Sequence, residues 1–142
     1  MANWTTRLTE GATLVMFDID HFKPVNDNYG HLAGDEVIRH TAQVTRSSIR
    51  QSDSAGRYGG EEFGIILPET DAENARLICE RIRESIEKST VETSAGNITY
   101  TISMGIAQLT DEPENYMQWM QKADEALYAA KESGRNRVVV AE

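Results

Sequence analysis

The sequence predicts an α+β fold in which an antiparallel-rich central sheet is flanked by helices. Two strand patterns, at residues 13 to 19 and 98 to 107, alternate along the chain with helical patterns whose apolar residues lie three and four positions apart. A Gly-Gly pair between apolar stretches also predicts a hairpin near residues 55 to 67. Helices that alternate with strands, together with a hairpin, are typical of a sheet covered by helices.

The first strand pattern leads directly into acidic residues. The apolar run at residues 13 to 19 ends in Asp18-Ile19-Asp20, and the twofold repeat of a strand places both aspartates on one face. Pro24 fits the first turn of a short helix that ends in a loop, and residues 35 to 49 form the next helix. An aspartate at a strand end can also cap the following helix, and for Asp20 this alternative stays open.

The hairpin pattern combines a tight turn with two carboxylates. Gly59 and Gly60 are predicted to form the turn, because primed turns need positive φ at their central residues. Glu61 and Glu62 then begin the second strand, whose alternation sends them to opposite faces. The bare backbone of the glycines lets a phosphate or a sugar approach closely. An ordinary turn with solvated glutamates is the alternative for this stretch alone.

The second half of the chain predicts two helices and two strands. Residues 70 to 73 have the pattern of a capping box and open a helix whose apolar stripe includes Cys79. Gly96-Asn97 predicts a turn before the alternating strand at residues 98 to 107. Pro113 introduces the last helix, Gly134 ends it, and residues 138 to 140 form a final strand. The residues of that helix predicted to face inward are Met117, Met120, Ala123, Leu127 and Ala130. The resulting order, β-α-α-β-β-α-β-α-β, favours a ferredoxin-like or polymerase-palm-like arrangement.

Length and composition indicate one ordinary globular domain, covering residues 1 to 142. The chain is 39% hydrophobic and 26% charged, and its net charge of −9 argues against a surface that binds nucleic acid. Cys79 is the only cysteine, which excludes a disulfide framework and a thiolate metal site. We recognise no membrane-spanning run and no secretory signal, so a cytoplasmic setting is expected.

Acidic residues at neighbouring strand ends predict a divalent metal site. If the first strand lies beside the hairpin, Asp18 and Glu61 meet at one sheet edge and repel each other by roughly 4 kcal/mol at an effective dielectric constant near 20. A cation between them removes this repulsion, and oxygen ligands without His or Cys favour Mg²⁺ or Mn²⁺ over zinc. Because Mg²⁺ keeps positions for phosphate oxygens, the substrate implied is a nucleoside triphosphate. Two such ions could activate a hydroxyl and neutralise a leaving pyrophosphate.

Two cations near the end of the chain suit the phosphates of such a substrate. Lys131 and Arg135 are four residues apart across a helix C-terminus and its glycine, which places both on one side. Cations in this position can equally serve to complement the helix dipole, and the sequence alone leaves the two interpretations open.

Together these features resemble the GGDEF family, the diguanylate cyclases, over nearly the whole chain. The motifs occur in the order and at the spacing of the family, with Glu61 at the third signature position, where the family also accepts aspartate. The motifs are Phe17-Asp18-Ile19-Asp20-His21-Phe22-Lys23-Pro24-Val25-Asn26-Asp27, Gly30-His31, Gly34-Asp35, Arg57-Tyr58-Gly59-Gly60-Glu61-Glu62-Phe63, Ala123-Asp124-Glu125-Ala126-Leu127-Tyr128 and Lys131 to Arg137.

The resemblance implies the roles of the site residues. Asp18 and Glu61 would be catalytic and would hold two Mg²⁺ or Mn²⁺ ions per active site, assisted by the carbonyl of Ile19 and by Glu62. Glu61 would also help to deprotonate the attacking hydroxyl. Asn26 and Asp35 would bind the guanine edge, and the presence of Asp35 favours GTP. The remaining substrate contacts implied are the backbone of His21, Phe22 and Lys23, the side chains of Lys131 and Arg135, and Gly60 lying against the substrate.

The reaction implied by the resemblance joins two GTP molecules into cyclic di-GMP and releases two pyrophosphates. Each chain would hold one GTP, and two chains would meet about a twofold axis, so a homodimer would be needed for catalysis. Arg50 and Asp53 match the product-inhibition site of the family, at which cyclic di-GMP binds. Arg81 would be the secondary arginine of that site, although a solvated helix face explains Arg81 equally well.

The chain departs from the family pattern at residues 1 to 11. The usual opening, Asp-x-Leu-Thr-x-Leu-x-Asn-Arg, is absent there, and the sensory domain to which the family's catalytic domains are normally fused is absent too. The sequence is therefore expected to be a trimmed catalytic domain. Two alternatives to a cyclase stay open: a catalytically silent domain that binds GTP or cyclic di-GMP, and a structural domain whose acidic hairpin is only surface.

Overall fold

In the computed structural model the described residues, 11–109 and 116–142, form a mixed fold of helices and strands. The elements follow one another as β1 (Thr13–Ile19), α1 (Phe22–Tyr29), α2 (His31–Ser48), β2 (Ser54–Gly59), β3 (Glu62–Leu67), α3 (Ala72–Glu87), β4 (Val91–Thr93), β5 (Gly96–Ile98), β6 (Ile102–Gln108), α4 (Tyr116–Glu132) and β7 (Val138–Val140). None of the helices in these two ranges is long and apolar enough to cross a membrane.

The main sheet has five strands in the order β2-β3-β1-β6-β7. The central strand, β1, is antiparallel to both β3 and β6, whereas β7 runs parallel to β6. All seven residues of β1 are buried, because helices cover both faces of the sheet at its centre. The predicted antiparallel-rich α+β fold is confirmed.

The alternation of side chains along β1 divides the core into two parts. Phe17 and Ile19 pack on one face against α2 and α3, and the Phe17 ring stacks on Phe63 with 5.0 Å between ring centroids. Leu14 and Met16 pack on the other face against α4. The acidic residue Asp18 therefore projects to the α4 side of the sheet.

Helix α4 lies directly on β6. The fully buried Trp119 donates a hydrogen bond from Nε1 to the carbonyl of Ala107 at 2.8 Å. A Cβ atom at Gly105 would lie only 2.2 Å from the backbone nitrogen of Leu127, so the close approach of helix and strand requires glycine. This contact fixes the helix whose last turn carries Lys131.

The hairpin turn lies one residue later than predicted. Strand β2 ends at Gly59 and β3 begins at Glu62, so Gly60 and Glu61 form the turn, with Gly60 at φ +51°. The register shifts between Arg57 and Gly59 because of an irregularity of the bulge type, and this shift moves the turn. Glu61 is therefore a turn residue, and the prediction that it begins the second strand was wrong.

One other turn and the starts of one strand and one helix also differ from the prediction. Gly96 and Asn97 belong to β5, and the turn of the short β4–β5 hairpin lies at residues 94 and 95. Strand β6 begins at Ile102 rather than at residue 98, because Ile98 pairs with Val91 in the separate hairpin. Helix α2 begins at His31, four residues before the predicted start, since Gly30 at φ +91° reverses the chain with no longer loop.

Helix termini also differ from the sequence pattern. Asp71, and not Thr70, caps α3, by accepting a hydrogen bond from the backbone N–H of Asn74 at 2.9 Å. Met117 on α4 is 75% exposed, and Trp119 takes the buried position instead. Ala123, Leu127 and Ala130 are buried as predicted. Pro113 and residues 1 to 10 lie outside the described residues.

Candidate active site

The centre of the candidate site is Asp18, at the end of β1, whose side chain is 5% exposed. Lys131, in the last turn of α4, donates from Nζ to its Oδ2 and forms an ion pair with it. The other oxygen, Oδ1, is buried and has no hydrogen-bond partner within the described ranges. Burial raises the pKa of Asp18, the bond and charge of Lys131 oppose this, and the charges of Glu61 and Asp20 raise it further. A buried carboxylate oxygen without a donor is a favourable position for a cation.

Both glutamates of the hairpin act electrostatically on this carboxylate. Glu62 lies directly opposite Asp18 in the β1–β3 register. Burial raises the pKa of Glu62, and the charge of Asp18 raises it further, while Lys131 lowers it. The carbonyl of Glu61 accepts a hydrogen bond from the backbone N–H of Ile19 at 3.3 Å, which ties the turn to the end of β1. The structure thus brings the hairpin turn to the end of β1, in agreement with the expected meeting of Asp18 and Glu61. It also pairs Asp18 directly with Glu62, which the sequence had placed on the face opposite Glu61.

The oxygen ligands of the site fit a hard divalent cation whose remaining coordination positions are filled by substrate phosphates. Within residues 11–109 and 116–142, no group of three or more His, Cys, Asp or Glu side chains is arranged to hold a metal ion. Mg²⁺ does not need such a group, since it is commonly bound by one or two carboxylates together with substrate phosphates. The unpartnered Oδ1 of Asp18 is the oxygen that fits this role. The Ile19 side chain is buried in the core, so that only its backbone remains for a ligand.

The start of α1 lies immediately after β1. His21 precedes the helix at φ +55° and makes no side-chain cap, and the first turn of the helix contains no acidic residue. Its N–H groups and its positive dipole end are therefore suited to an anion. Phe22 is buried, whereas His21 and Lys23 are exposed. For Phe22 this agrees with a contact made by backbone only.

The two residues expected to bind guanine lie on adjacent helices. Asn26 is half-buried on α1, and Asp35 is exposed in the first turns of α2. Gly34 makes this arrangement possible, because a Cβ atom there would lie 1.9 Å from Oδ1 of Asn26 and 3.3 Å from Cζ of Phe22. Gly34 belongs to one of the sequence motifs, but its contact across the two helices could not be predicted from residue spacing.

The two predicted cations at the end of α4 have different environments. Lys131 is partly buried and forms an ion pair with Asp18, so its positive charge partly neutralises the acidic site. Arg135, the residue after Gly134, is exposed and has φ +64°. Its backbone N–H donates to the carbonyl of Ala130 at 2.9 Å. Gly134 itself is at φ +130°, as expected for the residue that ends the helix. At the hairpin, Gly60 is exposed and its carbonyl accepts from Nε of Arg57 at 2.7 Å.

Asp20 differs from Asp18, whose Oδ1 has no hydrogen-bond partner among the described residues. Its carboxylate accepts hydrogen bonds from Thr101, Ser103 and the backbone N–H of Asn136. The alternative that Asp20 caps the next helix is wrong, since α1 has no side-chain cap. The contacts of Asp20 with Thr101, Ser103 and Asn136 were not predicted from the sequence, because these partners are 81 to 116 residues away.

The predicted product-binding residues form a prearranged fork. Arg50 donates to both oxygens of Asp53, at 3.2 and 2.8 Å, and also to the carbonyl of Pro68 and the hydroxyl of Thr70. The hydrogen bond to Asp53 raises the pKa of Arg50, which remains a cation. The Arg50 side chain is 52% exposed, whereas that of Asp53 is fully buried. Arg81 is exposed on α3.

Comparison with known proteins gives consistent matches. The sequence model of the family described as "Diguanylate cyclase, GGDEF domain" matches residues 2–137. "Diguanylate cyclase A" of Treponema denticola is 42% identical over 131 residues, which cover 92% of this chain and 35% of that protein. The chain therefore spans about a third of the length of this curated relative.

Two solved structures share the fold and much of the sequence. The GGDEF domain of DgcB from Caulobacter crescentus, in complex with c-di-GMP, is 38% identical with a TM-score of 0.88, covering 93% of this chain and 76% of that one. The active GGEEF domain of a diguanylate cyclase from Vibrio cholerae is 33% identical with a TM-score of 0.89, covering 97% of this chain and 87% of that one. The resemblance predicted from the motifs is confirmed, and the chain belongs to the GGDEF domain family of diguanylate cyclases.

Proposed function

We propose that this chain is a diguanylate cyclase domain, residues 1 to 142, that condenses two GTP molecules into cyclic di-GMP across a homodimer. The observation that carries the proposal is the environment of Asp18. Its buried Oδ1 has no hydrogen-bond partner in the described part of the chain, and Glu61, Glu62 and Lys131 surround it electrostatically. Membership of the family supports the choice of reaction.

The chemistry consists of two equivalent phosphoryl transfers. The 3′-oxygen of one GTP forms a bond to the α-phosphorus of the other, the bond from that phosphorus to the bridging oxygen breaks, and pyrophosphate leaves. The hydroxyl proton passes to a base, and the second transfer closes the ring. When bound, two Mg²⁺ or Mn²⁺ ions supply positive charge that lowers the pKa of the hydroxyl and neutralises the leaving pyrophosphate.

The protein residues act mainly by position and charge. Asp18 offers its buried Oδ1 to a cation, assisted by the carbonyl of Ile19 and by the two hairpin glutamates. The free end of α1, at His21 to Lys23, receives phosphate oxygens together with Lys131 and Arg135. Lys131 also limits the repulsion among the carboxylates before substrate arrives, because it already pairs with Asp18. Glu61, half-buried in the turn beside Asp18, is the candidate base.

Residues on α1 and α2 recognise the guanine base of the nucleotide. Asn26 can donate to guanine O6, and the carboxylate of Asp35 can accept from N1 and the exocyclic amino group. Gly60 leaves room for the nucleotide beside the turn, since a Cβ atom there would meet nothing within 4 Å in the described structure, although its φ of +51° favours glycine.

Product inhibition belongs to a separate place on the domain. The guanidinium of Arg50 is held by Asp53 while the side chain as a whole is 52% exposed, so the fork is oriented before a ligand arrives. An oriented guanidinium can bind guanine O6 and N7 or a phosphate. We infer that cyclic di-GMP binds here, with Arg81 supplying a second cation.

A coupled assay tests the proposed activity. Purified protein is incubated with GTP and Mg²⁺, and both cyclic di-GMP and pyrophosphate are measured over a range of protein concentrations. Two pyrophosphates for each cyclic di-GMP, with a rate that rises more steeply than linearly with protein concentration, are expected for a dimeric enzyme. Asp18→Asn should be inactive, whereas Glu73→Gln, which changes an exposed acid on α3, should match the wild type. Absence of product at high protein concentration would reject the proposal.

A silent binding domain is the second candidate function. The observation that favours it is the Arg50–Asp53 fork, which is complete without any contribution from Asp18. This candidate predicts that cyclic di-GMP binds in calorimetry while GTP releases no pyrophosphate.

We further infer that the domain is cytoplasmic and works when fused to a sensory domain, as expected from the family.

A further inference from the structure

Asp20 makes more hydrogen bonds than any other carboxylate near the site. It is 5% exposed, and its Oδ1 accepts from the hydroxyl of Ser103 at 2.7 Å. Its Oδ2 accepts from the hydroxyl of Thr101 at 2.7 Å and from the backbone N–H of Asn136 at 3.0 Å. Since both oxygens are occupied by donors, Asp20 is not available to a cation in the way that Asp18 is.

The turn that Asp20 contacts is unusual in its backbone. Arg135 and Asn136 lie at φ +64° and +48°, two consecutive left-handed residues that are not glycine. Such residues persist only where the surrounding structure holds them. The backbone N–H of Asn136 is held by Asp20 and also lies 3.2 Å from the Ser103 hydroxyl.

The side chain of Asn136 fastens the same turn to α3. Its Oδ1 accepts from Arg83 at 2.9 Å, and its Nδ2 donates to Glu87 at 2.6 Å. Arg83 is itself bound to Glu80 and Glu87. The turn is therefore held from two sides, by β1 through its backbone and by α3 through a side chain.

Two parallel ties connect the end of α4 to the end of β1. Lys131 bonds to Asp18, and five residues later Asn136 bonds to Asp20, which lies two residues after Asp18 and directly follows β1. Arg135 lies between the two tied residues, with its side chain exposed. Asp20 is thus the contact that links the backbone after Arg135 to the end of β1, in addition to the bond from the Arg135 N–H to Ala130 and the ties of Asn136 to α3.

We propose that Asp20 is a positioning residue that holds Arg135 in register with Asp18, so that the arginine meets the outer phosphates of the bound nucleotide. The inference rests on the proposed function, because it needs a triphosphate at the Asp18 site. Asp20 touches neither substrate nor metal in this role. Its loss weakens the contact to the β- and γ-phosphates and leaves the guanine contacts of Asn26 and Asp35 in place.

The test compares two nucleotides that differ only in the phosphates that matter. Binding of 3′-deoxy-GTP, which cannot react, and of 3′-deoxy-GMP is followed by NMR titration in Mg²⁺. Asp20→Ala should weaken binding of the triphosphate by about tenfold, the loss expected when one charge-assisted phosphate contact is weakened. Binding of the monophosphate should change by less than about twofold.

Two further variants separate positioning from general destabilisation. Thr101→Val removes another hydrogen bond from Asp20 and should lower the melting temperature. Because the bond from Asn136 to Asp20 remains, the ratio of the affinities for the triphosphate and the monophosphate should not change. Asp20→Asn keeps an oxygen that can accept from Asn136, so it should restore most of the triphosphate affinity lost in Asp20→Ala. If Asp20→Ala does not fold, Asp20→Ser, which also lacks the carboxylate, replaces it in the same titration and should weaken only the triphosphate, as Arg135→Ala does.

The outcomes distinguish the inference from the function on which it rests. If the wild type binds the triphosphate no more tightly than the monophosphate, the proposed function fails. If the wild type prefers the triphosphate and Asp20→Ala, or Asp20→Ser in its place, keeps the same preference, the positioning role of Asp20 is overturned. It is overturned as well if Thr101→Val loses the preference to the same extent as that variant. Fast hydrogen exchange of the Asn136 amide in the wild type would also contradict it.

Discussion

Replacing Gly34 with alanine should separate guanine recognition from stability. The new Cβ would lie 1.9 Å from Oδ1 and 3.0 Å from Cγ of Asn26, so the Asn26 side chain must leave its present position. Because these atoms end a flexible side chain, the movement costs about 0.5–1.5 kcal/mol. Alanine in place of glycine within α2 returns about 1 kcal/mol of helix propensity. The free energy of unfolding should then change by less than about 1 kcal/mol, which corresponds to a melting temperature within about 4 °C of the wild type.

The same substitution should clearly weaken binding of the nucleotide. A neutral hydrogen bond contributes about 0.5–1.5 kcal/mol, so its loss from the guanine edge should raise the dissociation constant about two- to tenfold. The measurement is calorimetry with 3′-deoxy-GTP in Mg²⁺, together with thermal unfolding of the same samples.

A double-mutant cycle provides the control for Gly34→Ala. Asn26→Ala should weaken binding to a similar extent, and the double variant should bind like Asn26→Ala alone, because both changes remove the same contact. Wild-type affinity in Gly34→Ala, or additive losses in the double variant, would refute the argument that Gly34 acts through Asn26.

Three more predictions follow from the described contacts. Glu61→Gln should abolish pyrophosphate release while the melting temperature stays within about 2 °C, since the tie to Ile19 uses only the backbone carbonyl of Glu61; turnover at the wild-type rate would contradict the role of this carboxylate. Arg50→Ala should remove inhibition by cyclic di-GMP and keep the initial rate, as measured in progress curves with added product, and inhibition that persists would exclude the Arg50 site. In metal-free protein, the raised pKa of Asp18 means that the folded state binds this proton more tightly than the unfolded state. The free energy of unfolding should therefore fall as pH rises from the ordinary aspartate pKa of about 3.9 through the higher folded pKa. Urea titrations of the wild type and Asp18→Asn isolate the contribution of this group. A free energy of unfolding that rises with pH because of Asp18 would contradict the burial argument.

Features that depend on local period and order were predictable from the sequence. The strand at residues 13 to 19 is recognisable by its apolar run, and its acidic end follows from alternation. The helices with regular apolar spacing were also recognisable. The proximity of Asp18 to the hairpin glutamates followed once β1 and β3 were taken as neighbours.

Features that depend on pairing register were not predictable in the same way. The turn moved to Gly60 and Glu61 because of the irregularity between Arg57 and Gly59, and no local preference distinguishes Gly59 from Gly60. The start of α2 at His31 depends on a single glycine that reverses the chain, and a Gly-His pair occurs in loops as readily.

The contacts of the site over long sequence separations were the least predictable. Asp20 looked like Asp18 in the sequence, being two residues away on the same strand face. Its different role comes from Thr101, Ser103 and Asn136, which the fold brings to it from the distant end of the chain. Likewise, the need for glycine at position 34 depends on the side chain of a residue on another helix.

The division of β1 between core and site has a consequence for how the chain folds. Phe17 and Ile19 face one side of the sheet while Asp18 faces the other, so the two kinds of residue alternate without a break. A slip of one residue in the pairing of β1 would turn the carboxylates into the apolar layer beneath α2 and α3. A carboxylate without a partner in such a layer costs several kcal/mol. The charges proposed to serve nucleotide chemistry thus also penalise mispaired forms of the central strand.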